Sequence, residues 1–363
     1  ILSGLVGSEM CIRDRNRTTT LKSHYYYDEA IFAKEIECIF KEEWLWVARS
    51  EQLSKQGDFI TTDVAQFPIV LVRGKDNILR AFHNICRHRA SKVELRKSGN
   101  CKQLVCPYHG WRYSLQGQLS NPPKFHGSDS FDHNDHSLYP VNIEEKYGLV
   151  FINLSSQPKS LIEWLGPFNN VVGDQYSDDF LFHNELKFDV HANWKTYVDN
   201  YQEGYHIPSV HPQLNRDVIW EEYELLNSHD CSIHSVPEKG GSDQPGSFGW
   251  HFPNFIFNIY GRGIVYQRIE PLRPKWCRVI YNLFRPPDIS YDDFENNEGK
   301  YQLEVSLEDQ ELIPEIQHNL QTGIYTSGPL STKYETGVAY FHDLIINKLN
   351  RELNNDSNNR GDR

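Results

Sequence analysis

The sequence contains no run of 18 apolar residues, so nothing in it reads as a membrane-spanning helix. Positive charge is scarce. Lys and Arg number 37 against 49 Asp and Glu, and the net charge of −12 argues against a nucleic-acid backbone as partner, because phosphate binding needs a basic surface. No internal repeat is visible. No dinucleotide-binding glycine motif is present. A disulfide framework is missing as well. The seven cysteines (11, 38, 86, 101, 106, 231 and 277) are odd in number and irregularly spaced, which points to a reducing, cytoplasmic compartment where clustered cysteines bind metal. Methionine occurs once, at Met10.

What is there fits a soluble enzyme of two domains. A chain of 363 residues can bury two cores, and aromatics make up 13% of it. Residues 1–15 (ILSGLVGSEMCIRDR) lack a basic start and their apolar run is too short for a secretory signal. They resemble translated sequencing-adaptor read-through. The expectation is that Ile1–Arg15 is foreign, that the natural start is missing, and that the fold begins beyond it.

Hydrophobic spacing predicts an amphipathic helix over 28–44 (Ile31, Ile36, Ile39, Phe40, Trp44) within an N-terminal segment 16–44. Short β-rich runs with turn signals then fill 45–155, including Gly74–Asn77 and a hairpin around Gln116-Gly117. From 156 to 350 the pattern is mixed. A strand (LKFDVHA) precedes a helix from Asn193 to about His206, a loop covers 236–248, and two strong strands follow. An acidic linker (DISYDDFENNEG) leads to two helices, the second opening with Thr332 as cap and Glu335 three residues on. The polar residues 351–363 predict a disordered tail.

Two constellations carry chemistry. In the first, Cys86-x-His88 and Cys106-x-x-His109 flank a 17-residue spacer, each pair set between predicted strands. Two cysteines and two histidines suit either a tetrahedral zinc or a [2Fe-2S] cluster in which histidines replace cysteines on one iron. In the second, Glu203 and His206 are three apart, Pro208 breaks the helix, and His211 can fold back beside His206. Two histidines and a carboxylate on one face of an iron leave open positions for O2 and substrate. The carboxylate would be Glu203 or a residue from elsewhere.

C-x-H followed by C-P-Y-H-G-W and a hairpin resembles the Rieske domain of ring-hydroxylating and related oxygenases. Respiratory Rieske proteins carry an extra cysteine beside each pair. Ser91 and Tyr108 occupy that neighbourhood here, so the resemblance is to the oxygenase type, with Cys101 a loop thiol. Downstream, N-W-K…D-N-Y-x-E-x-Y-H-x4-H resembles the catalytic signature of Rieske non-haem iron oxygenase alpha subunits. The resemblance implies an α+β fold: an N-terminal all-β Rieske domain and a C-terminal helix-grip catalytic domain, an antiparallel sheet wrapped on a long helix. It implies that Cys86, His88, Cys106 and His109 hold the [2Fe-2S] cluster. His206, His211 and an aspartate in LEDQELIPEIQ, matched to Asp309 beside Glu308, would hold a mononuclear Fe(II). Glu203 would bridge electrons to His88 or His109 of a neighbouring subunit, with Asp199 as its rival, and this implies a homotrimer. NAD(P)H would act through a separate flavin/iron-sulfur reductase.

The stretch from Trp250 to Phe284 resembles plant choline monooxygenase, and glycine betaine and carnitine monooxygenases share the layout. The expected substrate is therefore a quaternary ammonium compound, with Trp250, Phe252, Phe255, Phe257 and Tyr260 as candidate aromatic faces for a cation. The alternatives are an aromatic-ring-hydroxylating dioxygenase acting on an aromatic acid and a non-catalytic Rieske electron carrier, which would need no second metal site. The stripe Tyr197, Tyr201 and Tyr205 reads as core or as substrate wall. Asp132, His133, Asp135 and His136 read as a solvated loop, and Cys231 and Cys277 as free thiols.

Overall fold

The computed structural model describes residues 17–359, apart from 121, 128, 176–178, 238, 240–246 and 261–262. Ile1–Arg15, expected to be foreign, lies outside the described residues. The chain divides into two compact units, one formed by 40–161 and the other by the preceding and following segments. Among the described residues no helix is long and apolar enough to cross a membrane.

The first unit is built on one antiparallel sheet. Its strands are β1 (Leu45–Arg49), β2 (Asp58–Val64), β3 (Phe67–Arg73), β4 (Leu79–His83), β5 (Ser98–Asn100), β8 (Pro140–Lys146) and β9 (Leu149–Asn153), in spatial order β1-β9-β8-β4-β3-β2-β5. A two-stranded ribbon, β6 (Leu104–Val105) with β7 (Arg112–Tyr113), stands apart from it. Strand β3 is Val/Ile/Leu-rich, and Ile69 to Val72 are all buried, as a central strand requires. One apolar cluster joins Phe59, Val70 and Phe82 of the sheet to Cys86, Cys106, Trp111 and Tyr113. The packed core thus fixes the two loops that carry the Cys–His pairs.

The second unit holds a second seven-stranded antiparallel sheet: β10 (Leu181–Val190), β11 (Glu224–Ser228), β12 (Cys231–Ser235), β13 (Ser247–His251), β14 (Phe255–Tyr260), β15 (Gly263–Arg273) and β16 (Trp276–Arg285), in order β10-β16-β15-β14-β13-β12-β11. The helices are α1 (Glu29–Glu35), α2 (Leu161–Leu165), α3 (Phe168–Gln175), α4 (Trp194–Tyr201), α5 (Ile207–Val210), α6 (Pro212–Asp217), α7 (Tyr291–Phe294), α8 (Lys300–Leu320) and α9 (Thr336–Asn359). Helix α4 packs on β15 and β16 and against α8. This is the α+β, sheet-on-helix arrangement that the sequence implied.

Several local expectations need correction. The helix predicted over 28–44 is α1, capped by Asp28, whose carboxylate accepts from Ala30 N and Ile31 N at 2.8 and 3.0 Å. It widens into a π turn at Ile36–Phe40 and stops there, and Trp44 leads into β1 with its indole on the Lys159 carbonyl. The acidic stretch read as a linker is helical. Ser290 caps α7, acidic residues fill its first turn where the helix dipole favours them, and Phe294 is buried. The cap before α9 belongs to Ser331 rather than Thr332: the Glu335 carboxylate accepts from Ser331 N at 2.6 Å, and Ser331 Oγ accepts from Tyr334 N. Residues 351–359 continue α9 instead of forming a tail, because adding residues to a helix already nucleated on the core costs little. Residues 360–363 of that predicted tail lie outside the described ones.

Candidate metal centres

The two Cys–His loops share one hydrogen-bonding scheme. Cys86 N donates to Ser91 O at 2.8 Å and Ala90 N to Cys86 O at 3.0 Å; Cys106 N donates to Trp111 O at 2.8 Å and Gly110 N to Cys106 O at 3.0 Å. In both loops the residue four past the cysteine is left-handed, Ala90 at φ 58° and Gly110 at φ 71°. Glycine takes that conformation without strain. Each loop therefore turns a buried thiol and a histidine the same way.

The rings of His88 and His109 lie 4.5 Å apart, and His88 stacks on Trp111 at 4.7 Å, nearly parallel. His88 Nδ1 is buried with no hydrogen-bond partner. Burial and then the neighbouring His109 hold His88 below the usual imidazole range, so it is neutral, as a ligand must be. Burial likewise pushes the Cys86 thiol up, while Tyr113 Oη sits 3.3 Å from its sulfur. A thiol pushed up by burial in this way ionises when a metal cation takes its sulfur. Among the described residues, one set of three or more His, Cys, Asp or Glu has donor atoms within 4.8 Å of one another, and it is not this one. A single zinc with bonds of roughly 2.0–2.3 Å would draw all four donors onto one point. A two-iron cluster, with cysteines on one iron and histidines on the other, does not, and the residues fit it.

The convergent set is His206, His211 and Asp309. The helix expected to reach His206 ends at Tyr201, for two reasons. Gly204 lies so close to Tyr223 that an added Cβ would sit 2.9 Å from the ring. The Glu203 carboxylate also accepts from the backbone N–H groups of Tyr205 and His206, the donors a continuing helix would have used. Its other oxygen accepts from His206 Nδ1 at 2.5 Å. With Nδ1 holding the proton, the Nε2 lone pair is free. His206 Nε2 and His211 Nε2 face each other at 3.1 Å, and Asp309 Oδ1 stands 3.1 Å from His211 Nε2 and 3.7 Å from His206 Nε2. Asp309 Oδ1 is buried yet makes no aligned hydrogen bond. Close approach without hydrogen-bond alignment is how donors to a shared cation stand.

Asp309 reaches this point because α8 is clamped to α4. Gln317 Oε1, about two turns beyond Asp309, accepts from Asn193 N at 2.8 Å and from Thr196 Oγ1 at 3.3 Å. Burial pulls His211 down, but the Asp309 and Glu308 carboxylates outweigh it and the net direction is up. Glu308 binds the far side of His211, Oε2 to Nδ1 at 2.8 Å. Asp199, the rival for the bridging role, is engaged elsewhere, by Tyr26 Oη at 2.6 Å and His342 Nε2 at 2.8 Å.

The tyrosine stripe splits where α4 stops. Tyr197 is buried with its hydroxyl on Tyr281, Tyr201 donates to Asn258 Oδ1 at 2.7 Å, and exposed Tyr205 stacks on Tyr334. Tyr281 and Glu308 were not singled out for these contacts from sequence, since no local pattern ties either to the histidine segment. Trp250, Phe252, Phe255 and Phe257 are buried; Trp250 packs on Phe341 and Phe257 on Phe168, and Lys348 Nζ lies 5.6 Å over the Phe252 ring. The side chain of Tyr260 lies outside the described set. Asp132 and His136 bind within their own loop, and Cys231 and Cys277 are buried free thiols.

The family model for the Rieske [2Fe-2S] domain matches residues 43–132, and that for the ring hydroxylating alpha subunit (catalytic domain) matches 177–240 and 236–350. The carnitine monooxygenase oxygenase subunit of Acinetobacter pittii is 30% identical over 90% of this chain and 94% of its own length. The chain belongs to the Rieske-type oxygenases. The glycine betaine monooxygenase oxygenase subunit of Chromohalobacter salexigens is 26% identical over 94% of this chain and 89% of its own. The crystal structure of the quaternary ammonium Rieske monooxygenase CntA with L-carnitine superposes with a TM-score of 0.82 at 27% identity, covering 91% of this chain and 95% of that one. As a Rieske-type oxygenase alpha subunit, the protein is an oxidoreductase that acts with O2 and uses a [2Fe-2S] cluster and a mononuclear iron.

Proposed function

We propose that this oxygenase hydroxylates a quaternary ammonium compound of the choline, betaine or carnitine kind. In this reading His206, His211 and Asp309 hold the mononuclear Fe(II), and Cys86, His88, Cys106 and His109 hold the cluster. The observation that carries it is the facing of two imidazole Nε2 atoms and one carboxylate oxygen across a point that a cation would fill. The substrate class rests on relatives whose names carry carnitine and glycine betaine. A net charge of −12 also draws cations rather than anions to the protein.

When bound, the cluster passes single electrons and the iron activates O2. The protein's own part is orientation. Glu203 fixes the tautomer of His206 through Nδ1, and its carboxylate, 13% exposed, has an edge left to accept from His88 or His109 of a neighbouring subunit. That bridge calls for a homotrimer, working in the cytoplasm with NAD(P)H and a separate flavin/iron-sulfur reductase. Buried Tyr197 and Tyr281 hold their protons more tightly than a free phenol, because burial disfavours the phenolates, and stay neutral beside Asp309.

The test is substrate-dependent O2 uptake by the iron-loaded protein with a surrogate reductase and NADH. Choline, glycine betaine, carnitine and proline betaine are set against benzoate- and salicylate-like acids. Uptake with a trimethylammonium compound, with release of an aldehyde, supports the proposal. Uptake only with the aromatic acids, giving diols or phenols, overturns the substrate class.

A further inference from the structure

Glu308 and Asp309 are consecutive on α8, and consecutive helical side chains point about 100° apart. Here the two carboxylates grip one imidazole from opposite ends. Asp309 Oδ1 stands 3.1 Å from His211 Nε2, and Glu308 Oε2 stands 2.8 Å from His211 Nδ1. A carboxylate can only accept, so the Glu308 contact requires the proton on Nδ1 and leaves Nε2 bare. The same arrangement recurs on the other histidine, where Glu203 accepts from the Nδ1–H of His206. The two rings thus carry matched carboxylates on their outer nitrogens while their inner nitrogens face each other at 3.1 Å.

We propose that Glu308 is a positioning residue for the metal centre, setting the tautomer and orientation of His211 as Glu203 does for His206. This rests on the reading that His206, His211 and Asp309 hold the iron. The His211 side chain is 2% exposed, so without Glu308 its Nδ1–H would have no acceptor, and the ring would gain by placing its proton on Nε2, beside Asp309. That tautomer cannot ligate through Nε2. Glu308 itself is 36% exposed, so its removal leaves no buried void and the fold should survive. The contact also explains why the two acidic neighbours are not interchangeable: one faces the point of convergence and the other the back of the ligand.

The experiment uses the whole protein with its cluster in place and the mononuclear iron dialysed out, titrated with Co(II). Glu308→Leu should weaken Co(II) binding roughly 10–100-fold, the range for losing an outer partner of a metal-bound histidine. Glu308→Gln, whose amide oxygen still accepts from Nδ1, should recover most of the loss. The proton spectrum of the Co(II) form gives a signature that a general structural defect would not. Wild type should show two paramagnetically shifted N–H signals, one per histidine, and Glu308→Leu should lose the one from His211, whose Nδ1–H no carboxylate then holds. His211→Ala is the control for the underlying reading. If His211→Ala loses the site while Glu308→Leu binds as wild type with both signals present, the Glu308 assignment fails alone. Wild-type Co(II) binding by His211→Ala overturns the ligand reading and the Glu308 assignment with it.

Discussion

Lys195, at the start of α4, is wholly buried, and its loss should expose how that helix is anchored. Its ammonium lies 2.6 Å from Glu35 Oε1 and 2.8 Å from Asn193 Oδ1, and the rings of Tyr26 and Trp194 pack around it. Burial lowers its affinity for a proton, and the Glu35 charge works against that lowering. Replacing it by Met leaves the Glu35 carboxylate in the core with one remaining donor, the Trp194 indole at 2.9 Å. An uncompensated buried charge of this kind costs about 3–5 kcal/mol. Protonation sets a ceiling on the penalty. A glutamate in an unfolded chain titrates near ~4.3, so neutralising it at pH 7 costs about 3.7 kcal/mol. The folded variant then holds a proton that its unfolded chain lacks, so its stability falls as pH rises above that value, by about 1.4 kcal/mol per unit. Lys195→Met should therefore lose about 4 kcal/mol at pH 7 and about 2 kcal/mol at pH 5.5, by the same relation. Hydrogen exchange of the Trp194–Tyr201 backbone reads this locally, without treating the two units as one transition. A loss below about 1 kcal/mol at pH 7, or a loss independent of pH, would refute the argument, since either means the charge is relieved by water.

Tyr113→Phe removes the hydroxyl beside Cys86 Sγ, and a donor to sulfur favours the more negative, reduced cluster. If that bond strengthens by about 1 kcal/mol on reduction, the potential should fall by roughly 40 mV in an EPR-monitored titration, and an unchanged or higher value counts against it. Glu203→Gln should keep both metals and lose turnover, measured as iron content and O2 uptake; wild-type rates would remove the bridge. His206→Ala should lose the mononuclear iron and keep the red-brown colour of the cluster, whereas unchanged iron content would show the ligand assignment to be wrong. Burial pushes His234 down to about 3, so the unfolded chain takes up a proton below about 6.5 that the folded one refuses. Stability should fall by about 1.4 kcal/mol per pH unit from there toward 3, and His234→Gln should flatten that limb of a urea-denaturation series.

Much of both centres was legible in the sequence, and the reason is locality. Each Cys–His pair lies within a six-residue loop, 86–91 or 106–111, whose backbone bonds close on themselves, so both members of a pair are set by neighbouring residues. His206 and His211 are also close in sequence, but their spacing by itself is a weak signal, and the resemblance singled them out. Asp309 was not legible: no residue near it in the sequence marks it, and it came from resemblance. Choosing it over Glu308 is a question of how α8 is rotated, which depends on Gln317 reaching Asn193 and Thr196 on another helix. The aromatic stretch 250–257 gave no single binding ring, because strands bury rings on either face and composition does not say which face looks at a ligand.

The early end of α4 was hidden by a residue that does two jobs. Between Tyr201 and His206 the sequence offers one weak breaker, Gly204, and otherwise reads as helix. It stops there because the Glu203 carboxylate captures the next N–H groups while its other oxygen holds His206. The group that ends the helix is therefore the group that aims the histidine. A side chain one methylene shorter would have to give up one of these contacts or move the backbone to keep both. Glu203→Asp should thus disturb the His206 turn as well as any electron bridge, whereas Glu203→Gln keeps the length and isolates the charge. Slow backbone exchange at Tyr205 and His206 in Glu203→Gln, with faster exchange there in Glu203→Asp, is the outcome this coupling demands. Equal protection in both variants would mean that the turn is held by Gly204 and Tyr223 alone.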